Sequence, residues 1–163
     1  MQIHTITGGG GLPIHVREWG KPAGSAVLLI HGWSQSHLSW VRQFESDLVD
    51  KHRIVAIDIR GHGMSGKPLE LEAYAESKLW ADDIDAVIKS LALDRPVLAG
   101  WSYGGLIMSD YVRVHGESEI AGINFVGAAT VLNESAFGTL IGPGFLDNFA
   151  NASSVDRPTN IEA

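Results

Sequence analysis

Cysteine is absent from the chain of 163 residues, which excludes disulfide bonds, thiolate nucleophiles and cysteine-ligated metals. Positive charge is also scarce, because 12 Lys and Arg stand against 19 Asp and Glu, giving a formal net charge of −7 at pH 7. A chain this acidic offers no basic surface to nucleic acid or to anionic lipid. Neither kind of partner is expected.

Long apolar runs are missing as well. No uninterrupted apolar run approaches the roughly 20 residues that a membrane-spanning helix requires. Residues 1–20, MQIHTITGGGGLPIHVREWG, contain no positively charged segment that leads into an apolar one, so no secretory signal peptide is predicted. We therefore expect a cytoplasmic chain that does not enter a membrane.

Hydrophobic patterning predicts a sheet whose first two strands differ from the rest. Residues 1–6 and 12–19 alternate apolar and polar side chains, as half-buried strands do, and the glycines at 8–11 predict a hairpin turn between them. Continuous apolar runs predict strands buried on both faces at 26–32, 52–58, 96–100 and 120–127. The fold class is therefore α/β, a mostly parallel sheet with an antiparallel edge and helices on both faces.

Helical periodicity appears in three places. Residues 72–91 carry one apolar stripe, with carboxylates and lysines opposite, formed by Trp80, Ile84, Val87, Ile88 and Leu91. Residues 103–115 predict a second helix, which ends at Gly116. A third set of apolar residues recurs at helical spacing: Trp40, Val41, Phe44 and Leu48.

One short motif carries chemistry. Gly100-Trp101-Ser102-Tyr103-Gly104 is the single Gly-x-Ser-x-Gly of the chain, and it lies between a predicted strand and a predicted helix. A serine on so sharp a turn has a strained backbone, and side chains two residues before and after it would collide. Gly105 would let the helix approach the sheet closely. Ser102 is the candidate nucleophile, and a surface turn that merely uses serine and glycine is the alternative.

Two upstream segments support the nucleophile. His31-Gly32-Trp33 ends one predicted strand, and DIRGHGMSGKP at 58–68 ends the next. In order and spacing, the three segments resemble the α/β-hydrolase family, in its subgroup of cofactor-free esterases, lactonases and haloperoxidase-like enzymes. The resemblance implies an α/β-hydrolase-type sheet, truncated after about the sixth strand. It further implies that 1–130 is the N-terminal part of the core and 131–163 the start of a lid.

The resemblance also implies roles for single residues. The backbone N–H groups of Trp33 and Tyr103 would form the oxyanion hole, in a loop shaped by His31 and Gly32. Two fixed N–H dipoles aimed at a developing oxyanion lower an acyl-transfer barrier. Relatives with aspartate in place of this serine attack the carbon atoms of epoxides or of carbon–halogen bonds, so Ser102 implies acyl transfer from a carboxylic ester or lactone. Neither cofactor nor metal is expected, and the substrate is a small acyl compound.

The acid and base of a catalytic triad are harder to find. In this fold they follow the serine along the chain, and the one histidine after Ser102 is His115, about 20 Å away at the far end of the predicted helix. Candidate acids lie in the last segment: Glu134, Asp147 and Asp156. His31 could act as a makeshift base, although a structural role is favoured. The chain alone is therefore expected to be inactive or nearly so.

Other interpretations stay open beside the hydrolase. A haloperoxidase-like perhydrolase would use the same serine with peroxide as acyl acceptor, and a non-catalytic member of the fold would bind a ligand or partner. GHGMSG at 61–66 matches a dinucleotide fingerprint, but Lys67-Pro68 follow where a helix should run. A turn in which His62 packs or bonds locally is favoured there. If the sheet ends at 120–127, that apolar edge could pair with a second copy or with a complementing C-terminal chain.

Overall fold

The computed structural model describes residues 1–131, of which 1–130 form one compact unit. The predicted lid at 131–163 and its candidate acids (Glu134, Asp147 and Asp156) lie outside the described residues, apart from residue 131. Six strands are present in the described part of the chain: Gln2–Thr7 (β1), Pro13–Gly20 (β2), Ala26–Ile30 (β3), Arg53–Ile57 (β4), Val97–Trp101 (β5) and Gly122–Val126 (β6).

The strands form one sheet in the order β1-β2-β4-β3-β5-β6. Strands β4, β3, β5 and β6 run parallel, whereas β1 and β2 pair antiparallel with each other and β2 pairs antiparallel with β4. The predicted mostly parallel sheet with an antiparallel edge is confirmed. The hairpin turn contains a 3₁₀ turn over Gly9–Gly11, in which Gly10 and Gly11 have φ of 66° and 80°.

Alternation along the strands divides the core between two faces. One face of the central strands packs under two long helices and includes Leu28, Ile30, Val55 and Ile57. The other face carries a smaller cluster: Leu29, Trp40, Ile54, Ala56 and Ala99. Since successive side chains of β3 and β4 enter different clusters, both strands must be apolar throughout. That requirement explains their continuous apolar sequences.

The helices are Val41–Phe44 (α1), Glu72–Ala75 (α2), Ser77–Ser90 (α3) and Gly104–His115 (α4). Helices α3 and α4 contact each other and bury the larger cluster. Helix α4 ends where predicted, because Gly116 adopts a φ of 78°. The short segment around α1 covers the smaller cluster, so helices flank both faces as expected.

The predicted single helix at 72–91 is wrong in one respect, because the chain is extended at Glu76 (ψ 120°). The carbonyl of Ala73 accepts from the Arg60 guanidinium at 2.5 Å, and that of Tyr74 accepts from Trp80 Nε1 at 3.0 Å. These carbonyls would otherwise accept from amides four residues later. Tertiary donors therefore replace one turn of the helix.

The segment from residue 40 to residue 48 also differs from the expected helix. It consists of a 3₁₀ turn over His37–Trp40, the single turn α1, and a second 3₁₀ turn over Asp47–Asp50. The Ser46 hydroxyl donates to Gln43 O at 2.7 Å and accepts from Leu48 N at 3.3 Å. Serine side chains that bond locally to the backbone compete with helix propagation, and here they end α1.

A buried ion pair, which we call the Arg60 clamp, joins β1–β2 to α3. Arg60 is 1% exposed, and its guanidinium donates to both oxygens of Asp83 at 2.8 Å. The same guanidinium reaches the carbonyls of Gly9 at 3.0 Å and Leu79 at 2.9 Å, besides that of Ala73. The Gly9 N–H donates back to Asp83 at 2.8 Å. The clamp therefore holds the hairpin turn against α3.

Strand β6 is less buried than its apolar sequence suggested. It is the last strand of the described sheet, and Phe125 and Val126 are 47% and 38% exposed. A buried strand was expected here, whereas among residues 1–131 this one occupies an edge.

Candidate active site

Ser102 follows β5 directly and has a φ of 52°, a left-handed conformation that costs roughly 1–2 kcal/mol for a residue with a side chain. Hydrogen bonds hold it from both sides. Its N–H donates to Val126 O at 3.3 Å, while its carbonyl accepts from Gly105 N at 3.0 Å and Ala129 N at 3.1 Å. The strain is therefore supported by β6 and by the first turn of α4.

The glycines around Ser102 are required by close approach. A Cβ on Gly104 would lie 2.5 Å from Ile30 O, and one on Gly100 would lie 2.5 Å from Met108 Cε. A Cβ on Gly105 would lie 2.6 Å from that of Ala128. A side chain at Gly104 would push α4 away from the carboxyl end of β3, and side chains at Gly100 and Gly105 would collide with α4 and with the segment after β6. Their absence lets the helix begin directly behind the serine.

The loop after β3 reaches the serine side chain. A Cβ on Gly32 would lie 2.9 Å from Ser102 Cβ and 3.4 Å from Ser102 Oγ. Strands β3 and β5 are adjacent and parallel, whereas the chain leaves β3 for β4 on its other side. Such a reversal of strand order opens a crevice at the carboxyl ends of the strands. The rings of Trp33 and Tyr103 meet edge-on there, with centroids 5.8 Å apart.

Both ring nitrogens of His31 are engaged. Nδ1 donates to Gly32 O at 2.7 Å, and Nε2 accepts from Ile59 N at 3.1 Å. A nitrogen that accepts an N–H carries no proton, so the ring is neutral. Burial lowers the pKa of His31 to about 4. This geometry favours the structural role over that of a makeshift base.

The burial of a neutral His31 predicts a pH dependence of stability. The folded-state pKa is about 4 against 6.5 for an exposed histidine, so the unfolded chain binds the proton more readily. The contribution of His31 to the free energy of unfolding is complete above pH 6.5 and falls by roughly 3 kcal/mol as the pH drops to 4. Urea unfolding between pH 7 and 4 should show this extra loss against His31→Gln. Equal losses in both proteins would contradict a neutral buried ring.

His62 contacts the same loop from the other side. Its Nε2 accepts from Ser34 N at 3.1 Å, and its Nδ1 donates to Arg60 O at 2.9 Å. The loop that contains it closes on itself, because Gly61 N donates to Gly66 O at 2.9 Å. Between the end of β4 and Glu72, a stretch that the structure describes in full, no helix begins. The bond to Arg60 O is local, as expected for His62, whereas the bond to Ser34 joins this loop to the one after β3.

His115 lies where predicted, at the last residue of α4, and bonds Asp82 at 3.0 Å. Across twelve residues the helix axis extends about 18 Å, so this imidazole is remote from the serine. The remaining histidines bond other groups, and within residues 1–131 no hydrogen bond joins a histidine to the Ser102 hydroxyl. The described residues therefore provide the serine and its surrounding loops without a base in contact.

A cluster of His15, His37 and Asp58 has the composition of a metal site, with ligand atoms within 4.8 Å of one another. The Asp58 carboxylate already accepts from the backbone and ring of His37 (2.7 and 2.9 Å) and from Met64 N (2.8 Å). Burial alone would raise the pKa of Asp58, but these donors outweigh it and lower the pKa. Arg17 donates to His15 at 3.3 Å. The cluster therefore braces the loops after β3 and β4.

An open groove of about 390 Å³ lies beside the turn that contains Ser102. It is lined by Gln35, Ser39, Trp40, Gln43, Trp101 and Val126. Trp101, the residue before the serine, is 36% exposed. This indole therefore lines the groove.

In the described part of the chain, no helix combines the length and apolar character that crossing a membrane requires. The cytoplasmic location expected from the sequence stays a prediction.

The family model for the alpha/beta hydrolase fold matches residues 25–157. Among solved structures, the esterase RhEst1 from Rhodococcus sp. ECU1013 superposes with a TM-score of 0.91 at 36% identity, over 99% of this chain and 58% of that one. An esterase from Exiguobacterium antarcticum superposes with a TM-score of 0.79 at 28% identity, over 99% and 59%.

A curated relative, the non-heme haloperoxidase of Rhodococcus erythropolis, is 32% identical over 130 residues. That alignment covers 78% of this chain and 44% of the haloperoxidase, so the chain spans 44–59% of the length of these three relatives. The family match over most of the sequence agrees with the strand order of the sheet and with the position of Ser102 at the end of β5. The chain belongs to the α/β-hydrolase fold family.

Proposed function

We propose that the complete protein hydrolyses a carboxylic ester or lactone through an acyl-enzyme on Ser102. The observation that carries this proposal is the position of the serine side chain. It projects from a left-handed turn at the start of α4, and the backbone of Gly32 lies against it. A half-buried hydroxyl with the Gly32 backbone beside it, at the start of a helix, suits acyl transfer.

In this proposal the hydroxyl oxygen of Ser102 attacks the substrate carbonyl and gives up its proton to a base. The N–H groups of Trp33 and Tyr103 stabilise the tetrahedral oxyanion, each by about 3 kcal/mol. Tyr103 precedes α4, whose positive dipole end adds to that stabilisation. Collapse of the intermediate expels the alcohol, which takes the proton from the base, and water then releases the acid by the reverse steps.

Two features favour an ester over other substrates of the family. Residue 102 is serine rather than the aspartate implied for epoxide-opening relatives, and the two solved structures reported above are those of esterases. Attack by serine on an acyl carbon needs an oxyanion hole, and the closeness of Gly32 to the Ser102 side chain supports one formed by the Gly32–Trp33 loop.

The base and acid are proposed to come from residues outside the 163-residue chain. A serine hydroxyl without an adjacent base is a weak nucleophile. We therefore expect the 163-residue chain by itself to have little hydrolase activity. Strand β6 is proposed as the edge to which a further strand is added, from the rest of the protein or from a second copy.

Covalent labelling tests the proposal. A fluorophosphonate should modify the complete product of the gene once, with the adduct mapped to Ser102 by mass spectrometry. The 163-residue chain should react at least about 10³-fold more slowly, because it lacks the base. The Ser102→Ala variant of the complete product should not react. Labelling at another residue would exclude Ser102, and no labelling would favour a non-catalytic ligand-binding protein.

Perhydrolysis is a second candidate, favoured by the similarity to the haloperoxidase. It would use the same acyl-enzyme with hydrogen peroxide in place of water, yielding a peracid. Measuring peracid and free acid from one ester at equal turnover distinguishes the two acceptors.

A further inference from the structure

We propose that His62 is a positioning residue for the oxyanion hole, holding the peptide group after Trp33 while His31 holds the one before it. The two imidazoles together fix the direction of the Trp33 N–H relative to Ser102. This inference rests on the proposed function in one respect, namely that the Trp33 N–H serves the oxyanion.

The peptide group before Trp33 is fixed through its carbonyl. Gly32 O and Trp33 N–H belong to one planar trans unit, so they point in opposite directions. His31 Nδ1 donates to Gly32 O at 2.7 Å, and the position of the carbonyl thereby determines where the N–H points. Because the hydrogen bond also polarises the amide, it makes the N–H a stronger donor.

The peptide group after Trp33 is fixed through its N–H. Ser34 N donates to His62 Nε2 at 3.1 Å, across 28 residues of sequence. Ser34 has a φ of 57°, and a serine pays roughly 1–2 kcal/mol to adopt that left-handed conformation. Such strain persists only where surrounding groups hold it. The acceptor nitrogen of His62 is one such group.

The two imidazoles are anchored to consecutive residues, His31 to Ile59 and His62 to Arg60. His31 Nε2 accepts from Ile59 N at 3.1 Å, and His62 Nδ1 donates to Arg60 O at 2.9 Å. Arg60 is itself immobilised by the Arg60 clamp. The loop at 31–34 is therefore tied to a rigid support, and the His62 ring also packs edge-on against the Trp33 indole at 5.4 Å.

The bonds can be tested directly in the 163-residue chain labelled with ¹⁵N. An N–H···N hydrogen bond transmits a scalar coupling between its two nitrogens. We expect resolved couplings from Ser34 N to His62 Nε2 and from Ile59 N to His31 Nε2. Residual dipolar couplings should also show that the Trp33 N–H turns in His62→Leu and keeps its direction in His62→Gln, whose amide oxygen can accept from Ser34. A missing Ser34–His62 coupling, or a Trp33 N–H that keeps its direction in His62→Leu, would overturn the inference.

Kinetics of the complete gene product supply the second test. Loss of a well-placed oxyanion donor costs 10²–10³ in kcat, so a misdirected one in His62→Leu should lower kcat by about 10–100-fold with KM nearly unchanged. His62→Gln should recover most of that loss. His52→Leu is the matched control, because His52 bonds Ser25 at 2.7 Å just before β4 and β3 begin, at the opposite end of these strands from the 31–34 loop, and it should leave kcat unchanged. Equal losses in the Leu and Gln variants would contradict positioning by the acceptor.

Different results would contradict the proposed ester hydrolysis and the proposed role of His62. If the unaltered protein hydrolyses no ester while the couplings and the Trp33 reorientation are observed, the proposed function is wrong and the two imidazoles still position the loop. If hydrolysis proceeds and His62→Leu matches the unaltered protein in kcat, the role of His62 is wrong.

Discussion

Replacing Ser102 with alanine should lower kcat of the complete protein for an activated ester by at least about 10⁴-fold, because removal of a serine nucleophile leaves only binding and oxyanion stabilisation. Steady-state hydrolysis of a p-nitrophenyl ester, measured with enzyme free of contaminating esterases, gives the ratio. Alanine is no worse suited than serine to the φ of 52° at this position, so the fold should be retained.

Ser109→Ala provides the matched control for that experiment. Ser109 lies in α4, seven residues after Ser102, and its hydroxyl donates to Gly105 O at 2.9 Å. Its loss should change kcat by no more than about threefold, since a hydroxyl bonded to the preceding turn contributes little. Retention of activity in Ser102→Ala would move the nucleophile elsewhere and would withdraw the acyl-enzyme.

The second large effect concerns stability. Arg60→Met should lower the free energy of unfolding of the 163-residue chain by about 3–5 kcal/mol, because it leaves the Asp83 carboxylate buried without its partner. Burial already raises the pKa of Asp83 against the opposing influence of Arg60. The carbonyls of Gly9 and Leu79 lose their donor as well. Urea unfolding at pH 7 measures the loss.

Two further variants show whether the buried pair causes that loss. Arg60→Met combined with Asp83→Leu should recover much of it, since apolar residues often replace a buried pair at little cost. Arg113→Met removes an exposed arginine that pairs with Asp110 on the surface of α4, and it should cost less than about 1 kcal/mol. A loss in Arg60→Met no larger than in Arg113→Met would show that the clamp is not stabilising.

The sequence predicted the elements that depend on local pattern. Strand pairing between 1–6 and 12–19, and the end of α4 at Gly116, follow from alternation and from glycine, and the structure contains both. The break at Glu76 could not be predicted, because it accompanies a bond from the Arg60 guanidinium to the carbonyl of Ala73, thirteen residues later in the chain. One signal was present. Asp83 falls within the apolar stripe of α3, three residues after Trp80, where a carboxylate requires a buried partner.

The candidate site, like the fold, could be predicted from the sequence only in part. The motif around Ser102 predicted a strained turn, and the φ of 52° agrees with that prediction. The role of His62 was not visible, because its bond to Ser34 depends on β3 and β4 being neighbours in the sheet. Spacing along a chain carries no such information. Strand order had to be known before the histidine could be assigned to the loop.

The Arg60 clamp also constrains the order in which the molecule can be assembled during translation. The Gly9 amide and its Asp83 acceptor are 74 residues apart, so the amino-terminal hairpin leaves the ribosome long before its anchor has been made. A lone two-stranded hairpin is marginal in water. Because β1 and β2 are synthesised before α3, we expect their docking against α3 to be a late event of cotranslational folding, and nascent chains arrested before residue 83 should leave that hairpin open to proteases and chaperones.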